Sequence, residues 1–125
     1  MRQNKLRASG VGVDLIERDR WERFSRDHRE RWNELFSERE RKEIYFSSSI
    51  KHFAFLFSAK EAVLKSLGVG MFHPQRFREI EIRRVQREFI AHLQSSLSKE
   101  FPRAKITLQP FFHRQAIGSV AFTSF

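Results

Sequence analysis

Residues 57–65 read FSAKEAVLK, and how this stretch is read decides the fold. Charge in an apolar helix is costly unless something compensates it, yet Lys60, Glu61 and Lys65 fall within one of the most apolar helical stretches of the chain. At about 100° per residue, Ser58, Glu61 and Lys65 share one narrow stripe, while Phe53, Leu56, Phe57, Val63, Leu64 and Leu67 crowd the opposite arc. Lys60 projects from the middle of that arc. Its stem packs among apolar neighbours, and its ammonium requires water or an anion. Judged on the helix alone, Glu61 and Lys65 are an ordinary (i, i+4) ion pair contributing roughly 0.2–0.5 kcal/mol. The helix is expected over 50–67, stopped by Gly68, a residue suited to the left-handed turn past a helix end.

Upstream, residues 6–15 read LRASGVGVDL. Val11, Val13 and Leu15 alternate with Gly10, Gly12 and Asp14, the period-2 pattern of a half-buried strand with one apolar face and one stripped bare. Two glycines beside an aspartate mark either an accessible site or a bulge or crowded strand crossing, and the glycines by themselves favour the crossing. Residues 17–34 carry Trp21, Phe24, His28 and Trp32 among alternating charges, as in one surface helix or two short ones with an aromatic seam. SERE at 37–40 matches a capping box, in which Ser37 and Glu40 satisfy free amides at the start of a helix reaching about residue 46.

Downstream of the helix, FREIEIRRV (77–85) alternates like a one-sided strand, and FIAHLQSSLSKEF (89–101) reads as a helix closed by Pro102. KITLQPFF (105–112) and QAIGSVAFTSF (115–125) read as two closing strands, with a hairpin around His113 and Arg114. The order β, α, α, α, β, α, β, β predicts an α+β domain with a mainly antiparallel sheet packed against a long helix.

A chain of 125 residues fits one domain, 1–125, with a core of its own. Lys and Arg total 24 against 15 Asp and Glu, a formal net charge of +9 that attracts anionic partners without choosing among them. Cysteine is absent, which excludes disulfides and thiolate metal sites. The basic N-terminal MRQNKLRAS leads into no long apolar stretch, and nothing later is long and apolar enough to span a bilayer, so a soluble, cytoplasmic protein is expected, with no membrane partner. Nor is any nucleic-acid-binding motif visible, so no nucleic-acid partner is expected.

The apolar helix and the aspartate strand together resemble the 4′-phosphopantetheinyl transferases. FSAKEAVLK fits the family pattern of an aromatic residue, Ser or Ala, any residue, Lys, Glu, a small residue, two of any kind, and Lys, while GVD at 12–14 fits its other motif. The separation of the two motifs, the SERE segment and the LGVGM after the second lysine resemble the small holo-acyl-carrier-protein synthase branch. That resemblance implies transfer of the 4′-phosphopantetheine arm of coenzyme A to a serine of an acyl carrier protein, releasing 3′,5′-ADP, in fatty acid and lipid biosynthesis. It implies Mg²⁺ held by Asp14 and Glu61, which suits an ion that takes oxygen ligands from one or two carboxylates, substrate phosphates and waters. Glu61 is the candidate base for the incoming serine, directly or through water. By the same resemblance Lys65 contacts a coenzyme A phosphate, Lys60 neutralises the site from its edge, and Gly68 and Gly70 form a loop passing close to coenzyme A. Arg20 matches a position that docks the acidic carrier, and Arg23 and Arg26 lie on the same helical segment. The branch forms homotrimers with coenzyme A bound between protomers.

Three departures from the pattern stand out. Leu56 occupies a position where relatives commonly carry an arginine, Phe111 stands where a C-terminal Ser-x-Ser-His segment has a hydroxyl, and a Gly-x-Pro turn is missing. His113 is the residue that matches the histidine of that segment. The departures motivate a second reading, a non-enzymatic or catalytically impaired member that keeps the fold. A third, a basic nucleic-acid-binding domain, rests on charge and aromatics only.

Overall fold

The computed structural model describes residues 9–43, 49–69 and 74–125. Strand β1 (Ser9–Glu17) leads into helix α1 (Arg18–Asp27), a 3-10 turn at Arg29–Arg31, and short helices α2 (Trp32–Leu35) and α3 (Glu38–Glu43). The long helix α4 (Ser49–Ser66) follows, then α5 (Pro74–Arg78), strands β2 (Ile80–Val85) and β3 (Glu88–Leu93), helix α6 (Ser95–Glu100), and strands β4 (Lys105–Phe112) and β5 (Ala116–Ser124). The strands form one sheet in the order β1-β5-β4-β3-β2, every neighbouring pair antiparallel. Helix α4 packs on β1 and β5. The α+β architecture inferred from the sequence is the observed one.

Nearly all sides of α4 are apolar, so it is buried nearly all round. Ala54, Ala59, Ala62 and Val63 are fully enclosed, with Phe36, Phe77, Leu97 and Ile117 around them. Against β1 the contact is backbone to backbone. A Cβ on Gly12 would lie 1.9 Å from the Ala62 carbonyl oxygen, and one on Gly10 would lie 2.0 Å from that of Ser66. The bare face of β1 is therefore the buried one, as a crowded crossing requires. Its apolar face is turned outward instead of inward, with Val11, Val13 and Leu15 61%, 57% and 64% exposed. The alternation identifies the strand, and the crossing that the glycines favour is the one observed: a helix pressed onto glycine needs no side chains to fill the gap.

The capping box forms: the Ser37 amide donates to Glu40 Oε1 at 2.9 Å, and the Glu40 amide donates to Ser37 Oγ at 3.1 Å. The end of that helix near residue 46 lies outside the described residues. One element differs in type. Residues 89–93 are strand, paired with β2 from Val85↔Glu88 to Ile80↔Leu93, and only Ser95–Glu100 is helical. Phe89, Ile90, Leu93 and Leu97 are spaced like a helix face, whereas the two-residue turn that makes the hairpin is Gln86-Arg87, with Gln86 at φ 57°. Glycine or asparagine would have announced that turn; glutamine does not.

Candidate active site

Asp14 belongs to the glycine face of β1 and meets the stripe of α4 that carries Ser58, Glu61 and Lys65. The close approach at Gly12 sets the distance between the two backbones. Two residues further on, the buried Ser58 hydroxyl donates to the Asp14 carbonyl oxygen at 3.2 Å. Lys65 crosses from helix to strand: its Nζ lies 3.1 Å from Asp14 Oδ1 and 3.1 Å from the Val13 carbonyl oxygen. The lysine thus pairs between elements, where an (i, i+4) pair with Glu61 was the simplest expectation from the helix.

Asp14 Oδ2 is withdrawn from water and accepts no hydrogen bond among the described residues. A buried carboxylate oxygen in that condition is costly unless a ligand satisfies it. Glu61 is its neighbour. Burial pushes the Glu61 carboxyl upward, the negative charge of Asp14 pushes it the same way, and Lys65 opposes them. Asp14 and Glu61 also line one open cavity of about 330 Å³, walled by Arg20, Trp21, Phe24 and Phe57. Two carboxylates sharing a cavity, one with an unmet oxygen, suit a small divalent cation. Glu17 also lines the cavity, but among the described residues no third carboxylate or histidine forms a metal-holding group with these two, so substrate oxygens and water would complete its shell.

Lys60 is elsewhere, and its expected place at the edge of this site is wrong. Its side chain is fully buried, and the three ammonium donors go to Leu35 O at 2.7 Å, Glu40 Oε1 at 2.7 Å and Phe77 O at 3.0 Å. No donor is left for a ligand. Burial draws the Lys60 pKa down, and the charge and hydrogen bond of Glu40 pull it back up. The anion its position demanded is the capping-box glutamate.

The remaining candidates separate. Arg20, Arg23 and Arg26 are exposed along α1, and of the three Arg20 lines the cavity. Gly68 has φ 73° and closes α4, its amide donating to Lys65 O and the Val69 amide to Leu64 O. A helix end of that kind accounts for the glycine by itself. Gly70 lies outside the described residues. His113 is not beside Asp14 and Glu61: it sits at the β4–β5 turn, accepts from the Gln115 amide at 3.3 Å, and lines a separate cleft of about 500 Å³ with Arg18, Lys51 and Arg114. Leu56 is in the core, 6% exposed.

Residues 10–117 match the model of the 4′-phosphopantetheinyl transferase superfamily. The chain belongs to that superfamily. Among superfamily relatives, the holo-[acyl-carrier-protein] synthase of Chlamydia caviae is 30% identical over 120 residues, covering 94% of this chain and 98% of the relative. That of Bacillus cereus is 32% identical over 112 residues, covering 80% and 94%. The crystal structure of the Neisseria meningitidis synthase superposes with a TM-score of 0.79 at 21% identity over 91% of this chain and 96% of that one. The Helicobacter pylori synthase in complex with coenzyme A does so with a TM-score of 0.76 at 19% identity, over 89% and 96%. These superpositions establish a shared fold.

Sequence reasoning missed the aromatic wall of the cavity. Trp21 and Phe24 are spaced as one helix face just after the Asp14 strand, and Phe57 opens the lysine motif itself; their rings gather at 5.3–5.6 Å. The seam was visible, but nothing in its spacing said that it faces a cavity as well as the core.

Proposed function

We infer that this chain is a holo-[acyl-carrier-protein] synthase, moving the 4′-phosphopantetheine group of coenzyme A onto a carrier serine and releasing 3′,5′-ADP. The observation that carries the reading is the meeting of Asp14, with its unsatisfied Oδ2, and Glu61 in one cavity. Mg²⁺ is the cofactor that this donor set fits; bound there, it offsets the negative charge on the phosphoryl oxygens.

The chain's own groups do the rest. The serine Oγ forms a bond to the phosphorus bearing pantetheine, and the bond from that phosphorus to the oxygen of the leaving 3′,5′-ADP breaks. Glu61 takes the serine proton directly or through one water. Lys65, 52% exposed at its side chain, moves from Asp14 to a coenzyme A phosphate. Gly68, at the end of α4, flanks the path of coenzyme A. Arg20, at the cavity rim, with Arg23 and Arg26 beyond it, attracts and orients the acidic carrier.

The exposed row Val11, Val13 and Leu15 continues across β5 through Phe122, paired with Val11, and reaches Phe111 on β4, paired with Gly118. An apolar sheet face of that extent calls for a partner, and a homotrimer with sites between protomers is the assembly proposed. In it the cleft with His113 faces coenzyme A from a neighbouring copy. No helix among the described residues is long and apolar enough to cross a membrane; the proposed place of action is the cytoplasm, where coenzyme A and apo carrier meet.

Incubation with coenzyme A, Mg²⁺ and apo carrier tests the reading. Mass spectrometry should show the carrier gaining one phosphopantetheine, and Asp14→Ala and Glu61→Ala, still folded, should lose the transfer. No gain on the carriers of its own organism would favour the non-enzymatic reading that Leu56 and Phe111 motivate.

A further inference from the structure

Lys60 immediately precedes Glu61 in α4, yet it points into the core on the face of the helix away from β1. Ser58, Ala62 and Ser66 form the line of α4 that meets β1. Two residues along a helix turn the chain by about 200°, so Lys60 lies opposite that line. There it donates to the end of α2 through Leu35 O, to α3 through Glu40 Oε1 and to α5 through Phe77 O. Glu40 is fastened in turn, accepting from the Ser37 amide at 2.9 Å and, on Oε2, from the Ile82 amide of β2 at 2.7 Å.

We propose that the buried Lys60–Glu40 pair is a positioning device for the active site, fixing the roll of α4 so that Glu61 is presented to Asp14. Apolar contacts are non-directional and leave a helix free to rotate by small amounts. The glycine face of β1 limits how closely α4 approaches, and apart from the Ser66 hydroxyl, 2.6 Å from that of Thr123, the side-chain bonds that cross to the sheet there, from Ser58 and Lys65, end on the site strand itself. The three hydrogen bonds of Lys60, at 2.7 to 3.0 Å, supply a stop on the far side, tied to elements outside the site. The lever is sensitive: a roll of about 10° carries a group ~6 Å from the axis through ~1 Å, and a displacement of that size can cost about 100-fold in rate. Buried ion pairs are weak sources of stability, and setting a register is their best-attested use. The proposal rests on the transferase reading for the identity of the bound ion.

Mn²⁺ binding, followed by electron paramagnetic resonance without coenzyme A or carrier, tests it on wild type, Lys60→Met and Glu40→Gln. Measurements are made at a temperature where circular dichroism shows each variant folded. Lys60→Met should weaken Mn²⁺ binding about 10-fold or more, the scale seen when groups supporting metal ligands are lost. Glu40→Gln keeps the shape of the side chain and should shift it less, in the same direction. Removal of a cation by itself draws a divalent ion more strongly, so unchanged or tighter binding in folded Lys60→Met overturns the proposal, as does unchanged binding in both variants. In the transfer assay, kcat of Lys60→Met should fall more than KM for coenzyme A rises. Wild type that binds Mn²⁺ but transfers nothing sinks the transferase reading, while the Mn²⁺ comparison still decides the positioning role.

Discussion

Helix α4 offers a lysine to a carboxylate twice, once in the core and once at the cavity, with opposite outcomes. Glu40 is fully buried, and both its oxygens are satisfied, by Lys60 and the Ser37 amide on one and the Ile82 amide on the other. Asp14 keeps only Lys65 on Oδ1, with Oδ2 left bare, and that lysine is half in water. The core pair is finished and the cavity pair is open. An unsatisfied polar atom beside a displaceable partner is what a site looks like before its ligand arrives.

The contrast predicts a crossed pattern of losses. Glu40→Ala strands a buried ammonium and should destabilise the fold by about 3–5 kcal/mol, read from the shift in the denaturant midpoint. Next in size, Asp14→Ala should lower transfer by about 100- to 1000-fold, the scale of losing one electrostatic stabiliser of a transition state, while changing stability by less than ~1 kcal/mol. Comparable stability losses in the two variants would erase the distinction between a finished pair and an open one. A smaller effect belongs to the hinge between the regions: Gly12→Ala drives a methyl against the Ala62 carbonyl and should cost about 1–3 kcal/mol. It should also weaken Mn²⁺ binding, because α4 must back away from Asp14. Intact Mn²⁺ affinity in that variant would mean the approach of helix to strand does not set the site.

Both carboxylates were legible in the sequence, but not equally. Asp14 and Glu61 stand in motifs whose spacing survives without coordinates, and the stripe shared by Ser58, Glu61 and Lys65 follows from helical geometry alone. Lys60 posed its question clearly, since an ammonium on an apolar arc needs an anion. The answer lay in Glu40, whose capping-box role concealed a second one, because a carboxylate has two oxygens and the local motif uses one of them. The sheet was harder to read for the same reason of missing context. Burial of β1 depends on a helix that arrives from far along the chain, and the β2–β3 hairpin turns on a glutamine at positive φ that carries no turn signature.

The smallest expected effect sharpens the comparison most directly. Carboxyl-carbon NMR should find Glu61 titrating above the ordinary glutamate range, since burial and the Asp14 charge both raise it while Lys65 lowers it. Asp14→Asn should then bring it down, and Lys65→Met should move it further up. Because the folded-state value is raised above the unfolded one, the contribution to stability is full below the ordinary glutamate range. It is lost as pH climbs through the raised value. Mg²⁺ should reverse that loss by favouring the ionised pair, so the gap in stability with and without the ion should widen with pH across the same window. A Glu61 that titrates normally and ignores Asp14→Asn would mean that the two carboxylates do not feel one another, and Asp14 and Glu61 would then be only two separate acids on a cavity wall.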